Sequence, residues 1–343
     1  MAAALGVERD ESVTPTVSVA LCTFNGERFV GEQVASILAQ HPLPAEIVLS
    51  DDASTDATVS IVEDAVARFS AEHPDGGVTL RVLRNPRALG VVRNFEQAVT
   101  ATTGEFIILC DQDDRWVPGR IARELAAFAD QPDLVLVHAD ANLIDADGKP
   151  LGDSLFRALG MTERERTLIS SGRALAALLG RNLVTGATTM FRRSLLEPAL
   201  PFPSSWVHDE WLAAIAAATG RVDFLPERLI DYRQHAGNVI GAGRIGLSGR
   251  LDRLREPREQ RNRGLVERAG DLVDRLAALG PAVPHADLRL AEDKLAHERE
   301  RLSLPRARLR RIGPVLRELS GGGYAHFGRG AQDALRDLVQ PAR

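Results

Sequence analysis

Asp111-Gln112-Asp113-Asp114 sets three carboxylates within four residues, after Cys110 and the apolar run Phe106-Ile107-Ile108-Leu109. Carboxylates held this close repel one another, and a divalent cation with hard oxygen ligands relieves that repulsion most simply. A plain acidic turn, with Asp114 capping a helix that begins near Pro118, would use the same residues without chemistry. Ser50-Asp51-Asp52 ends a second apolar run, and Asp51 or Asp52 can accept from the N3–H of a uracil or thymine ring. Ser54 and Asp56 can cap the helix that follows, whose N-terminus favours an anion; an Asp-rich turn with a helix cap is the alternative. Thr23-Phe24-Asn25 follows a third such run.

These groups need strands to deliver them to one edge. Residues 17–21, 46–49, 78–83, 105–109 and 134–138 read as strands, and residues 29–40, 58–69, 91–101 and 121–128 have helical apolar spacing. Strict alternation with short connections predicts right-handed βαβ units, a mainly parallel central sheet flanked by helices. Ligands then collect at the carboxyl edge, where the three polar strand ends lie. The first strand is followed by Thr23-Phe24-Asn25-Gly26-Glu27, without the glycine fingerprint of a dinucleotide fold, and no P-loop motif occurs.

Composition bounds the partners. With 343 residues and 44% hydrophobic content the chain can bury a large core, and no apolar run reaches the length of a membrane span. Its start lacks the pattern of a signal peptide, so a cytoplasmic setting is expected. Cys22 and Cys110 suit reduced core positions rather than a disulfide. Residues 241–343 carry 21 Lys and Arg against 14 Asp and Glu, a surplus of 7; the whole-chain charge of −5 therefore leaves −12 for residues 1–240. An acidic front portion argues against nucleic acid.

Val17-Ser18-Val19-Ala20-Leu21-Cys22-Thr23-Phe24-Asn25-Gly26, Ser50-Asp51-Asp52-Ala53-Ser54-Thr55-Asp56 and Asp111-Gln112-Asp113-Asp114-Arg115-Trp116, in this order and spacing, resemble the inverting family 2 glycosyltransferases of GT-A fold. The resemblance continues through Asn182-Leu183-Val184-Thr185-Gly186-Ala187-Thr188, His208-Asp209-Glu210-Trp211-Leu212-Ala213 and Tyr232-Arg233-Gln234-His235. The Asp-Gln-Asp-Asp-x-Trp and His-Asp-x-Trp-Leu-Ala forms are most similar to bacterial rhamnosyltransferases that build surface polysaccharides. Phe24 stands where many relatives carry Tyr, which keeps ring stacking and loses a hydroxyl. A transferase domain over residues 15–241 and a helical, Arg-rich extension over 242–343 follow from the extent of the match.

The resemblance implies roles. Asp113, with Asp111 or Asp114 beside it, would hold Mg²⁺ or Mn²⁺ against the diphosphate of a dTDP- or UDP-sugar, and Asp209 would be the general base. Thr23, Phe24, Asn25, Asp51, Asp52 and Gln112 would line the donor site. Asp209 can instead cap a helix over residues 210–219. His235 can complete the metal shell or donate to phosphate, and Arg233 offers a phosphate-matching fork. Asn94 falls at a helix start near the same edge. Gly186 lets backbone approach the sugar or acceptor, unless a bulge accounts for it. Trp116 is expected in the core, and Trp211, two residues from Asp209, on an acceptor wall.

Beyond residue 241 nothing carries over. Leu-rich helical segments at 264–279 and 286–302 precede Arg306-Ala307-Arg308-Leu309-Arg310-Arg311-Ile312. Closing the acceptor site, forming a homodimer and resting on the inner face of a membrane that carries a lipid-linked acceptor all fit this composition. The expectation is a metal-dependent inverting transferase moving L-rhamnose from a thymidine diphosphate donor onto a bacterial glycan. A non-catalytic nucleotide-sugar or glycan-binding module is the rival; loss of Asp209 or of the acidic cluster would mark it, and both are present. A nucleotidylyltransferase would need a glycine-rich basic loop near the N-terminus that is missing.

Overall fold

Alternating side-chain direction along the strands divides the protein into two apolar layers. In the computed structural model, which describes residues 15–74, 76–235 and 257–341, the strands are β1 (Val17–Thr23), β2 (Glu46–Asp51), β3 (Thr79–Arg84) and β4 (Phe106–Asp111). Successive side chains of a strand face opposite ways. Ala20, Cys22, Ile107 and Leu109 therefore enter one layer, while Val19, Leu21, Phe106, Ile108 and Cys110 enter the other. Both faces are covered, which is why β1 is buried along its whole length and reads as a continuous apolar run.

These four strands pair in parallel in the order β3-β2-β1-β4. Helices Val30–Leu38, Thr58–Glu72 and Val91–Ala101 make the crossovers. This parallel half is the one that strict alternation predicts. Beyond it come β5 (Arg115–Trp116), β6 (Leu134–Ile144), β7 (Pro150–Ser154), β8 (Thr189–Arg192) and β9 (Arg221–Arg233), and the sheet becomes mixed. β8 lies antiparallel between β4 and β6, β9 runs parallel to β6, and β5 closes the edge against β9. The short β8 enters from the opposite end, so no crossover helix announces it in the sequence.

The C-terminal helices Arg258–Leu279 and His285–Ser303 lie against the helix His208–Thr219. Leu272, Leu276, Val283, Ala291 and Phe327 share one apolar cluster with Trp211, Leu212 and Ile215. The Arg275 guanidinium donates to the carbonyls of Pro198, Leu200 and Pro201. The expected boundary at residues 241/242 lies outside the described residues. Among the described residues no helix is long and apolar enough to cross a membrane.

Candidate active site

Two turns at the carboxyl edge hold non-glycine residues in the left-handed region, Asn25 at φ 47° and Ala53 at φ 67°. Backbone of this kind persists where its surroundings over-determine it, and here they do. Asn25 N–H donates to Ser54 Oγ (2.8 Å), while Asn25 Oδ1 accepts from Thr55 N–H (2.9 Å). Gln112 clamps the first turn from β4, its Oε1 accepting from Phe24 N–H (2.8 Å) and its Nε2 donating to Phe24 O (3.0 Å). A methyl on Gly26 would collide with that amide, so glycine permits the clamp. The clamp leaves the Phe24 ring 52% exposed over the edge, available to a flat ligand.

The two carboxylates assigned to a base ring turn inward. Asp51 accepts from Thr23 Oγ1 (2.8 Å), Ser54 Oγ (2.6 Å) and Ser54 N–H (2.9 Å). Asp52 accepts from the N–H groups of Leu89 (2.6 Å) and Gly90 (2.9 Å), fixing the entry to the helix Val91–Ala101. Thr23, Asp51 and Asp52 thus brace the turns of this edge from beneath.

The acidic cluster separates by direction. Asp113 Oδ2 lies 2.7 Å from His235 Nε2, and Phe29 packs against that imidazole at 4.8 Å. Burial first, then the charges of Asp113 and Asp209, push the Asp111 carboxyl up to about 7. Asp114 belongs elsewhere: it is buried, its Oδ1 accepts from Arg233 N–H (2.9 Å), and burial holds its carboxyl well above the usual carboxylate range. The expectation that Asp114 joins a metal or caps a helix is therefore corrected, because its side chain ties β4 to β9 and Gly119 precedes the helix Arg120–Asp130. Among the described residues no group of three His, Cys, Asp or Glu closes on one point. Asp113 and His235 nonetheless make a hard-oxygen and imidazole donor pair, beside an Asp111 whose ionisation two neighbouring carboxylates oppose. That chemistry fits a hard dication, which Asp113 and His235 would hold.

Asp209 stands in the first turn of the helix His208–Thr219, not at its cap, which is Val207. Its Oδ2 accepts from Gly186 N–H (2.9 Å) and its Oδ1 from Glu210 N–H (2.7 Å). Burial raises its pKa from the ordinary 3.8; the two N–H groups and Arg268 partly oppose that rise. His208 stacks on Phe95 at 3.8 Å and burial lowers its pKa to about 3, so it stays neutral. A Cβ on Gly186 would come 3.0 Å from His208 Nε2 and 3.4 Å from Asp209 Cβ. The close approach Gly186 allows is thus to His208, while Asp209 lies at ordinary contact distance and accepts from the Gly186 N–H. Gly186→Ala is expected to press on His208, shift the start of its helix together with the Asp209 carboxylate, and lower kcat/KM about tenfold, a loss of about 1.4 kcal/mol, with the thermal midpoint checked to exclude unfolding.

Three further expectations are corrected. Arg233 is 2% exposed, and its guanidinium is committed to Asp113 O (2.7 Å), Ala146 O (3.2 Å) and Glu32 Oε2 (2.5 Å), so it positions the cluster instead of forking onto phosphate. Asn94 is buried, donating to Ser50 O (2.9 Å) and accepting from Ser50 Oγ (2.6 Å). Trp211 is core, its indole donating to Ala199 O (2.8 Å) beneath Trp206. Trp116 is core as expected. Phe29 and Glu32 went unassigned in the sequence, although their i,i+3 spacing at a helix start facing the same edge was a usable signal. Beside Glu210, a cavity of about 130 Å³ is lined by Asn182, Trp206, Leu265, Arg268 and Leu272 among others.

A GT-A sheet with a carboxylate edge on β4 and a carboxylate in a facing helix defines a nucleotide-sugar transferase architecture, and the comparisons agree. The family profile described as Glycosyl transferase family 2 matches residues 18–199, more than half of the chain, and the protein belongs to that family. An uncharacterised protein of Mycobacterium tuberculosis is 28% identical over 228 residues, 65% of this chain; the match spans 60% of that relative's length. The dTDP-rhamnosyl transferase RfbG of Shigella flexneri is 24% identical over 68% of this chain and 78% of its own. Among solved structures, S. aureus TarS in complex with UDP-GlcNAc superposes with a TM-score of 0.58 at 19% identity, covering 94% of this chain and 90% of that one. The mannosyltransferase PcManGT of Pyrobaculum calidifontis, in complex with GDP-Man and Mn²⁺, gives 0.51 at 21% identity over 92% and 76%.

Proposed function

We propose that this protein transfers a sugar, with inversion, from a nucleoside diphosphate donor to a hydroxyl of a glycan or lipid-linked acceptor, and that the donor is dTDP-L-rhamnose. The observation that carries the reading is the pairing of a buried carboxylate, Asp209, held by Gly186 N–H in the first turn of its helix, with the Asp113 and His235 contact at the end of β4. The charge of Asp209 adds to those opposing ionisation of Asp111, which supports a base and a diphosphate-binding edge serving one site. The acceptor hydroxyl gives its proton to Asp209 as its oxygen bonds to the anomeric carbon, and the bond to the diphosphate breaks with its electron pair leaving on the diphosphate. Mg²⁺ or Mn²⁺, held by Asp113 and His235 with Asp111 alongside, would neutralise charge on that leaving group. The Mn²⁺ named with the mannosyltransferase and the nucleotide sugars of both structural neighbours support this, and RfbG supports the rhamnosyl donor. The cavity beside Glu210 suits the acceptor.

A panel of dTDP-, UDP- and GDP-sugars, scored by protection against heat and by hydrolysis, tests the reading. The dTDP-rhamnose donor is expected to lead; preference for a UDP-hexose would keep the class and overturn the sugar. The exposed Phe24 ring is the proposed stacking platform for the base. Phe24→Ala is expected to raise the donor KM about tenfold, consistent with about 1–3 kcal/mol for stacking on an aromatic ring, while Phe24→Tyr leaves it within about twofold. An unchanged KM in Phe24→Ala would remove the platform.

A further inference from the structure

The helix Arg308–Ser320 turns an apolar stripe to solvent. Leu309, Ile312, Leu316 and Leu319, spaced i, i+3, i+7 and i+10, share one helical face, and all are exposed, Leu309 at 83% and Leu316 at 55%. The helix is anchored along the adjoining face. Val315 is buried against Tyr324 and Ala334, and the buried Arg311 guanidinium donates to the carbonyls of Pro305, Arg306, Asp337 and Gln340. Leu335 and Val339 are exposed in the adjoining helix Ala331–Val339. Burial of such side chains stabilises a fold, so a rigid helix that displays four of them is set toward something that covers them.

The surrounding charge identifies the cover. Arg306, Arg308, Arg310 and Arg317 are all exposed around the stripe, and the helix carries a single carboxylate, Glu318, engaged with His297 (2.5 Å). A second copy docked here about a two-fold axis would bring arginines against arginines. An anionic lipid surface instead accepts the leucines at its acyl boundary and the arginines at its phosphates. We propose that this helix, with the helix Ala331–Val339 packed beside it, seats the protein on the surface of an anionic bilayer. The seat is built by the tail alone and does not depend on which sugar the transferase domain moves.

Cosedimentation of the full chain with phosphatidylglycerol-containing vesicles, against pure phosphatidylcholine, tests it. Binding is expected at low salt with the anionic vesicles and should weaken as the Debye length shrinks from about 10 Å at 0.1 M. Each basic side chain at such a surface contributes about fivefold to partitioning, so Arg308→Ser/Arg310→Ser/Arg317→Ser should lower the bound fraction at least about tenfold. Leu309→Gln/Leu316→Gln should lower it comparably while leaving thermal unfolding and donor hydrolysis unchanged, since both positions lie outside the cleft. Absent binding to anionic vesicles would overturn the proposal. So would equal binding to both lipids, or a stable dimer in solution that Leu309→Gln/Leu316→Gln dissociates.

Discussion

Asp209→Asn is expected to lower sugar transfer about 10² to 10⁴-fold while leaving donor affinity nearly unchanged. The substitution keeps the size of the side chain and an acceptor oxygen for Gly186 N–H, but removes the group that takes the acceptor proton. The pH profile supplies a second readout. The folded pKa of Asp209 lies above the ordinary carboxylate value because it is buried; its proton-accepting form is therefore lost as pH falls through that raised value, and kcat/KM should fall on the acid side. In Asp209→Asn this limb should disappear. A parallel collapse of donor binding would move Asp209 into the donor site and contradict its assignment.

Asp113→Asn should cost about 2–3 kcal/mol of transition-state stabilisation, and a chelator should abolish turnover. The variant keeps the shape of the contact with His235 and removes the charge by which the pair would hold a cation. Calorimetric titration with Mn²⁺ in the presence of nucleoside diphosphate checks the binding step apart from catalysis, and affinity should fall with the substitution. Full activity in excess chelator would leave Asp113 and His235 as a hydrogen-bonded pair without a metal role.

The parallel half of the sheet was legible because β1, β2 and β4 are buried on both faces, which forces uninterrupted apolar runs ending in polar turns. The roles proposed for Asp113, Asp209 and His235 came from motif order, and to these the structure adds the contact between Asp113 and His235 and the place of Asp209 in a helix's first turn. Side-chain direction was not legible in the sequence. Asp113 and Asp114 are adjacent, yet one meets His235 and the other locks β9 through Arg233 N–H. Arg233 itself looked like a phosphate fork because nothing local reveals Glu32 and the carbonyl of Ala146 converging on it from distant parts of the chain. Trp211 likewise became core only through the Ala199 carbonyl and Trp206 that cover it. The tail's attachment was hidden for a related reason, since Leu272 and Leu276 complete an apolar layer whose other half lies in the helix His208–Thr219.

The most direct test of the central claim is the anomeric configuration of the first product. With water standing in for the acceptor, proton NMR can follow the sugar released from dTDP-rhamnose, or from whichever nucleotide sugar the panel favours, before mutarotation scrambles it. A single displacement assisted by Asp209 predicts that the first-formed sugar has the opposite configuration to the donor, and that its appearance is slowed in Asp209→Asn. Release of the same anomer as the donor, or an unchanged rate in that variant, would contradict the account.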